Sequence, residues 1–227
     1  MTGAEVVFDR VGCRVDDTVI LHDATLELRA RRTAVIGGNG SGKSTFARML
    51  NGLRTPTSGT ARVLGLDPSR DGTQLRRRVG FVFTNPEAQI LMPTPAEDLA
   101  LSLPGVPRGE RAERIAALLR RFGLDGRADQ PASTLSGGQR QLLALAAVLA
   151  TEPDLVVADE PTTLLDLRNA RRIGDLLLGL DVPVVIVTHD LELAARCDEA
   201  VLFADGTVRA VGAPESVIAC YRESVRA

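Results

Sequence analysis

The stretch Gly37-Gly38-Asn39-Gly40-Ser41-Gly42-Lys43-Ser44-Thr45 constrains this chain more than any other. The apolar run Thr33-Ala34-Val35-Ile36 before it reads as a buried strand. Phe46-Ala47-Arg48-Met49-Leu50 after it reads as a helix ending near Asn51-Gly52. A strand, a glycine loop and a helix in that order make a phosphate site. The glycines let successive backbone N–H groups turn toward one anion, and the positive end of the helix adds to their field. Lys43 is expected to reach the β- and γ-phosphates of a nucleotide, and the Ser44 hydroxyl to ligate Mg²⁺. Every fixed position of the pattern is present, which sets it apart from a chance glycine-rich turn.

The rest of the chain suits a nucleotide-binding α/β domain. Its 227 residues are 44% hydrophobic and 25% charged, enough for a large core with one inserted subdomain. A net charge of −2 gives no electrostatic case for general nucleic-acid binding. Aromatic residues are 3% of the chain with no Trp, too few for platforms that stack single-stranded bases. Cys13, Cys197 and Cys220 have no paired spacing and suit a reducing cytoplasm better than a disulfide framework. Met1-Thr2-Gly3-Ala4-Glu5 lacks the basic and apolar regions of a secretion signal. No apolar run approaches the ~20 residues of a membrane span, so membrane association is expected to run through a partner.

Along the chain, Val6-Val7-Phe8 and the alternating Ala24–Leu28 read as short strands, with a turn at Asp16-Asp17 between them. Thr55–Gly59 reads as another turn, followed by a strand at Ala61–Leu64. Residues 79–83 read as a buried strand. From Thr84 to about Asp129 the character changes: prolines 86, 93, 95, 104 and 107 precede a helical pattern from Arg111 to Phe122. There Ile115, Leu118, Leu119 and Phe122 follow helical spacing. A helical subdomain, roughly residues 85–150, is therefore expected inside a single domain spanning 1–227. Ser136 reads as the cap of the helix that carries Leu142 and Leu149. Asp154–Ala158 and Val184–Val187 read as fully buried strands of a parallel sheet, joined by a helix from about Leu167 to Leu180. A strand pair around Asp205-Gly206 and a helix after Pro214 close the chain.

Three further groups carry chemistry. Asp159-Glu160 ends a buried strand, where ligands bind in open α/β sheets. Asp159 is placed to hold Mg²⁺, and Glu160 to polarise the water that attacks the γ-phosphate. Alone, the pair fits an acidic turn before Pro161; the upstream glycine loop favours the catalytic reading. His189 follows the strand at 184–187 and is placed to donate to the γ-phosphate, whereas His22 has no such context and reads as a surface residue. Leu135-Ser136-Gly137-Gly138-Gln139 offers a hydroxyl and free N–H groups at a helix N-terminus, a second anion surface. One domain needs only one γ-phosphate site, so Ser136 and Gly138 are expected to serve another copy's nucleotide.

Taken together, these motifs and their order resemble the ATPase subunits of ABC (ATP-binding cassette) transporters over essentially the whole chain. The matching parts are residues 37–45, Leu135–Gln139, Leu155–Glu160, Asp166 in Thr163-Leu164-Leu165-Asp166, and Thr188-His189-Asp190. The resemblance implies an α/β nucleotide core with a mainly parallel sheet, an antiparallel β subdomain and the inserted helical subdomain. It implies ATP and Mg²⁺ as ligands, ATP hydrolysis as the activity, and no nucleic-acid partner. It implies a second ATPase subunit, a copy or a paralogue, packed head to tail with two ATP molecules at the interface and Asp166 communicating across it. Gly80–Gln89 looks most like energy-coupling-factor transporters, which take up vitamins and transition-metal ions. Their ATPases dock on an integral membrane coupling protein that holds a separate substrate-binding membrane protein. Gln89–Thr94 is similar to the biotin-type members, with cobalt- and nickel-type members close to it. The resemblance thus places the chain peripherally at the cytoplasmic face of the membrane, with Asn85–Asp98 as the docking region.

Two positions depart from the family pattern. Thr84 stands where a glutamine usually reaches toward Mg²⁺ and the attacking water, and Val15 where an aromatic ring usually stacks on adenine. Slower or altered hydrolysis and weaker nucleotide binding are expected. Little follows Val217, so a dimer that is loose without ATP and the membrane partner is expected. Three other readings stay open: the ATPase of a conventional ABC transporter, a soluble ABC ATPase in cofactor assembly or translation, and a non-hydrolysing interaction module.

Overall fold

The computed structural model describes residues 5–226, so most of the N-terminal stretch that reads as lacking a secretion signal lies outside the described residues. In chain order the elements are β1 (Val6–Val15), β2 (Thr18–Leu28), β3 (Arg32–Gly37), α1 (Lys43–Leu50), β4 (Ser58–Val63), α2 (Gly72–Arg78) and β5 (Val79–Val82). Then follow α3 (Pro95–Leu101), α4 (Arg108–Arg121), α5 (Gly137–Ala150), β6 (Leu155–Asp159), α6 (Leu167–Leu178) and β7 (Val184–Val187). The chain continues through α7 (Leu191–Ala194), β8 (Glu199–Ala204), β9 (Thr207–Gly212) and α8 (Pro214–Arg226).

The larger sheet has the order β5-β6-β7-β3-β8-β9, parallel except where β9 turns back along β8. Alternate residues of its strands feed two separate cores. Ala34, Ile36, Val156, Ala158, Val184 and Ile186 face α5, α6 and α8. Val35, Val157, Val185 and Val187 face α1 and the smaller sheet. Both faces are covered, which is why these strands read as unbroken apolar runs in sequence. The smaller sheet is antiparallel, in the order β2-β1-β4.

Three expectations need correction. The N-terminal strands are far longer than Val6–Phe8 and Ala24–Leu28, because register shifts between Phe8 and Val11, Val11 and Cys13, and Cys13 and Arg14 break the two-residue alternation. The helix after the glycine loop starts at Lys43, three residues before Phe46, so its first turn is built from the loop itself. The proline-rich stretch contains a full helix, α3: Pro95 occupies its first turn, where a missing N–H costs nothing, and Thr94 Oγ1 caps it by accepting from Glu97 N at 3.3 Å.

Topology brings the site together. Val35 of β3 lies opposite Val187 of β7, and Val187 lies opposite Asp159 of β6. The carboxyl ends of three adjacent strands thus place residues 37–45, 159–160 and 188–190 along one sheet edge. Phe46 fixes the helix behind the loop, packed against Phe8 at 5.1 Å and Phe203 at 5.2 Å between ring centroids.

Candidate active site

The glycine loop is a pre-formed cradle. A Cβ added at Gly38 or Gly40 would meet nothing within 4 Å, so the space above the loop is open. Gly42 caps α1 at φ 98°, and a Cβ there would strike Leu21 Cδ2 at 2.4 Å; only glycine fits. Lys43 is 7% exposed. Its Nζ donates to Gly37 O at 2.9 Å and Gly38 O at 2.7 Å, so the ammonium is held at the rim of the loop. Burial pushes its pKa down, opposed by the carboxylates of Glu160 and Asp159.

Asp159 is 3% exposed and accepts from the Ser44 hydroxyl at 3.0 Å. Burial raises its pKa, with Ser44 and Arg48 pulling it down and Glu160 pushing it up. A buried carboxylate beside a hydroxyl, facing a phosphate cradle, fits Mg²⁺. That ion takes few protein oxygens and completes its shell with phosphate and water. No cluster of three His, Cys, Asp or Glu that would suit a different metal occurs among the described residues.

The neighbouring carboxylate points elsewhere. Glu160 has φ 52°, in the left-handed region that a residue with a Cβ enters at about 1–2 kcal/mol. Its Oε2 lies 2.7 Å from His189 Nδ1 and accepts from Thr163 Oγ1 at 2.9 Å. Both contacts fall on one oxygen, which leaves Oε1 for water. The rest of the His189 side chain is exposed. The adjacent pair Asp159-Glu160 thus splits into one buried, hydroxyl-bonded acid and one partly buried acid bonded to a histidine.

The remaining motif residues take positions consistent with their types. Ser136 accepts from Gln139 N at 3.3 Å, and Gln139 Oε1 accepts from Ser136 N at 2.9 Å, a reciprocal cap on α5. Gly138 is buried, and a Cβ there would lie 2.5 Å from the Asn169 side chain. Asp166 caps α6, accepting from Asn169 N and Asn169 Nδ2, each at 2.8 Å, and these bonds lower its pKa. Val15 is half-buried opposite Thr18, and His22 is exposed. Thr84 donates through Oγ1 to Asp159 O at 2.8 Å.

Sequence reasoning names Thr163 only within the Thr163–Asp166 match and misses its bond to Glu160, which no spacing rule marks, and it names only as the end of the docking region a buried anchor, Asp98. The latter is 4% exposed, and its Oδ1 accepts the N–H groups of Leu91 at 2.8 Å and Met92 at 3.1 Å. It anchors the turn of the 85–98 segment, beside which lie two concavities of ≈ 490 and ≈ 320 Å³. Leu91 is 70% exposed there. A local signal existed in Thr94-Pro95-Ala96-Glu97, a capped helix start that places Asp98 in the first turn.

Comparison with known proteins shows the family. The family model described as ABC transporter matches residues 21–163. The biotin transport ATP-binding protein BioM of Rhizobium etli is 40% identical over 220 residues, covering 96% of this chain and 98% of that protein. The energy-coupling factor transporter ATP-binding protein EcfA1 of Lacticaseibacillus paracasei is 38% identical over 200 residues, covering 85% of this chain and 72% of its own length. Among solved structures, CbiO1 of Clostridium perfringens, part of the ABC transporter complex CbiONQ, superposes with a TM-score of 0.85. It is 30% identical and covers 99% of this chain and 94% of its own. The glycine loop, the carboxylate pair, the capped N-terminus of α5 and the strand-end histidine lie on a fold of this kind, and the chain belongs to the ATP-hydrolysing ATP-binding subunits of the ABC transporter family.

Proposed function

We propose that this chain is the ATPase of an energy-coupling-factor importer, a single cassette over residues 1–227 that powers uptake of a vitamin, biotin first, or of a transition-metal ion. The observation that carries this reading is the end-to-end likeness to the biotin transport protein BioM, over 96% of this chain. The likeness to CbiO1 of the CbiONQ complex supports the same transporter class.

In the proposed chemistry the N–H groups of residues 37–45 and Lys43 hold the phosphates. Ser44 and Asp159 hold Mg²⁺, which when bound neutralises phosphate charge. Glu160 takes a proton from the attacking water through its free Oε1. His189, bonded to the other carboxylate oxygen, orients Glu160 and faces the γ-phosphate. Ser136 and the backbone at Gly138 meet the nucleotide of a second ATPase subunit, a copy or a paralogue. The segment 85–98 docks on a membrane coupling protein at the cytoplasmic face. No described helix is long and apolar enough to cross a membrane; in this reading the attachment is through that partner.

The experiment is a pull-down. Glu160→Gln protein, tagged and expressed in its native cells, is recovered from gently solubilised membranes with Mg-ATP present, and its companions are identified by mass spectrometry. One coupling protein plus a small multi-span protein that binds biotin is the expected result. Large permease subunits would assign the chain to a conventional transporter, and soluble companions alone would end the transport reading.

A further inference from the structure

Two hydrogen bonds hold one peptide unit of the catalytic turn. Thr84 Oγ1 donates to the carbonyl of Asp159 at 2.8 Å, and the amide of the same unit, Glu160 N, donates to Val187 O at 2.9 Å. The orientation of that peptide sets φ of Glu160, which sits at 52°. A left-handed residue with a Cβ returns to ordinary backbone unless its surroundings hold it. The Val187 contact belongs to the rigid sheet. The Thr84 contact comes from the first residue beyond Phe83, at the start of the 85–98 segment.

Thr84 is also a junction. Before it, Phe83 N donates to Gln89 Oε1 at 3.2 Å, and Phe83 O accepts from Gln141 Nε2 of α5 at 3.4 Å. After it, Asn85 Oδ1 accepts from Glu87 N at 3.0 Å and starts a tight turn. Among the described residues, the Thr84–Asp159 bond is the one hydrogen bond between residues 84–98 and the turn at 159–163. A short β-branched hydroxyl reaches the backbone carbonyl and stops there.

We infer that Thr84 is a positioning residue for hydrolysis: its hydroxyl clamps the Asp159–Glu160 peptide and ties the aim of Glu160 to the position of the 85–98 segment. The catalytic half of this inference rests on the role proposed above for Glu160, and the clamp itself does not.

The test sets Thr84→Val, which keeps the shape and loses the donor, against Thr84→Ser, which keeps the donor. On the complex isolated from native membranes through a tag on this chain, Thr84→Val is expected to lower kcat for Mg-ATP about fivefold or more. KM and ATP affinity should stay within about twofold, and Thr84→Ser should return kcat to within about twofold of the parent. On the purified chain, amide hydrogen exchange over residues 158–163 is expected to quicken in Thr84→Val and to stay at the parental rate in Thr84→Ser. This second readout needs neither turnover nor any role for Glu160. Parental exchange in Thr84→Val overturns the clamp, as does a Thr84→Ser variant that matches Thr84→Val. Quickened exchange with parental kcat overturns the positioning role. Normal turnover in Glu160→Gln would instead remove the base assignment, leaving the exchange comparison to decide the clamp alone.

Discussion

The sheet edge at 37–45 and 159–160 and the segment at 85–98 are neighbours built on opposite terms. At the edge, each functional group is fixed by elements distant in sequence: Ser44 by α1, Asp159 by β6, His189 by the end of β7. The strands beneath are buried on both faces, so moving any of these groups would open the core. The 85–98 segment has a one-turn helix at Pro86–Ala88 and the start of α3, and one buried carboxylate, Asp98, holds the turn between them. It leaves Leu91 exposed. Chemistry needs groups held to a fraction of an ångström, whereas the docking role proposed for 85–98 is better served by few anchors and free apolar area.

The largest effect expected is on the edge. Glu160→Gln keeps the side-chain length and removes the proposed base, so Mg-ATP turnover should fall about 10²-fold or more. ATP affinity, read by equilibrium binding, and recovery of the membrane partner should both persist. Loss of partner recovery would break the separation between the two regions; turnover at the parental rate would remove Glu160 from its role.

The reverse experiment acts on the segment. Asp98→Ala leaves the N–H groups of Leu91 and Met92 without their acceptor in a partly buried turn, at a cost of about 2–3 kcal/mol. The expected outcome is a lower denaturant midpoint and poor recovery of the membrane partner, with nucleotide affinity of the folded protein unchanged. A matching loss of nucleotide affinity would show that the two regions are one mechanical unit.

The contrast also explains what the sequence discloses. Residues 33–45, 154–160 and 184–190 are legible because a buried parallel strand is an unbroken apolar run and the chemistry sits directly at its end. Ser136 is legible because a cap is a local event. The segment after β5 is not: its helical pattern reads only from Arg111 although Pro95 opens a helix, and Asp98 works through folded-back amides that no spacing encodes. The helix α2 escapes for another reason. Only Leu75 of its seven residues is buried, and Arg76, Arg77 and Arg78 fill its last turn, so it has no apolar stripe. The contact between Thr84 and Asp159 spans 75 positions and joins a side chain to a carbonyl; residue types alone cannot reveal it.

The smallest effect tests why the edge is strained at all. Without Mg²⁺, Asp159 carries a buried charge whose pKa burial raises above the usual carboxylate value. The folded state then binds a proton more tightly than the unfolded chain does. The charge therefore destabilises the metal-free fold at neutral pH, and this cost fades as pH falls through the raised pKa toward the unfolded value of about 3.9. Asp159→Asn removes the charge and keeps an acceptor for Ser44. It gives up the attraction of Arg48 and Lys43, but burial is the larger cause, so the metal-free variant should melt above the parent. A gain of about 1 kcal/mol would move Tm by about 2–4 °C in a chain of this size. The gap between the two should be widest near pH 7, narrow on mild acidification, and reverse when Mg-ATP is added, because only the parent has the carboxylate proposed to hold the ion. A variant that melts below the parent in metal-free buffer at pH 7 would mean that the neighbouring cations outweigh burial. The edge would then be stabilised by its charges, as an ordinary ion-pair network is, instead of held under strain for its ligand.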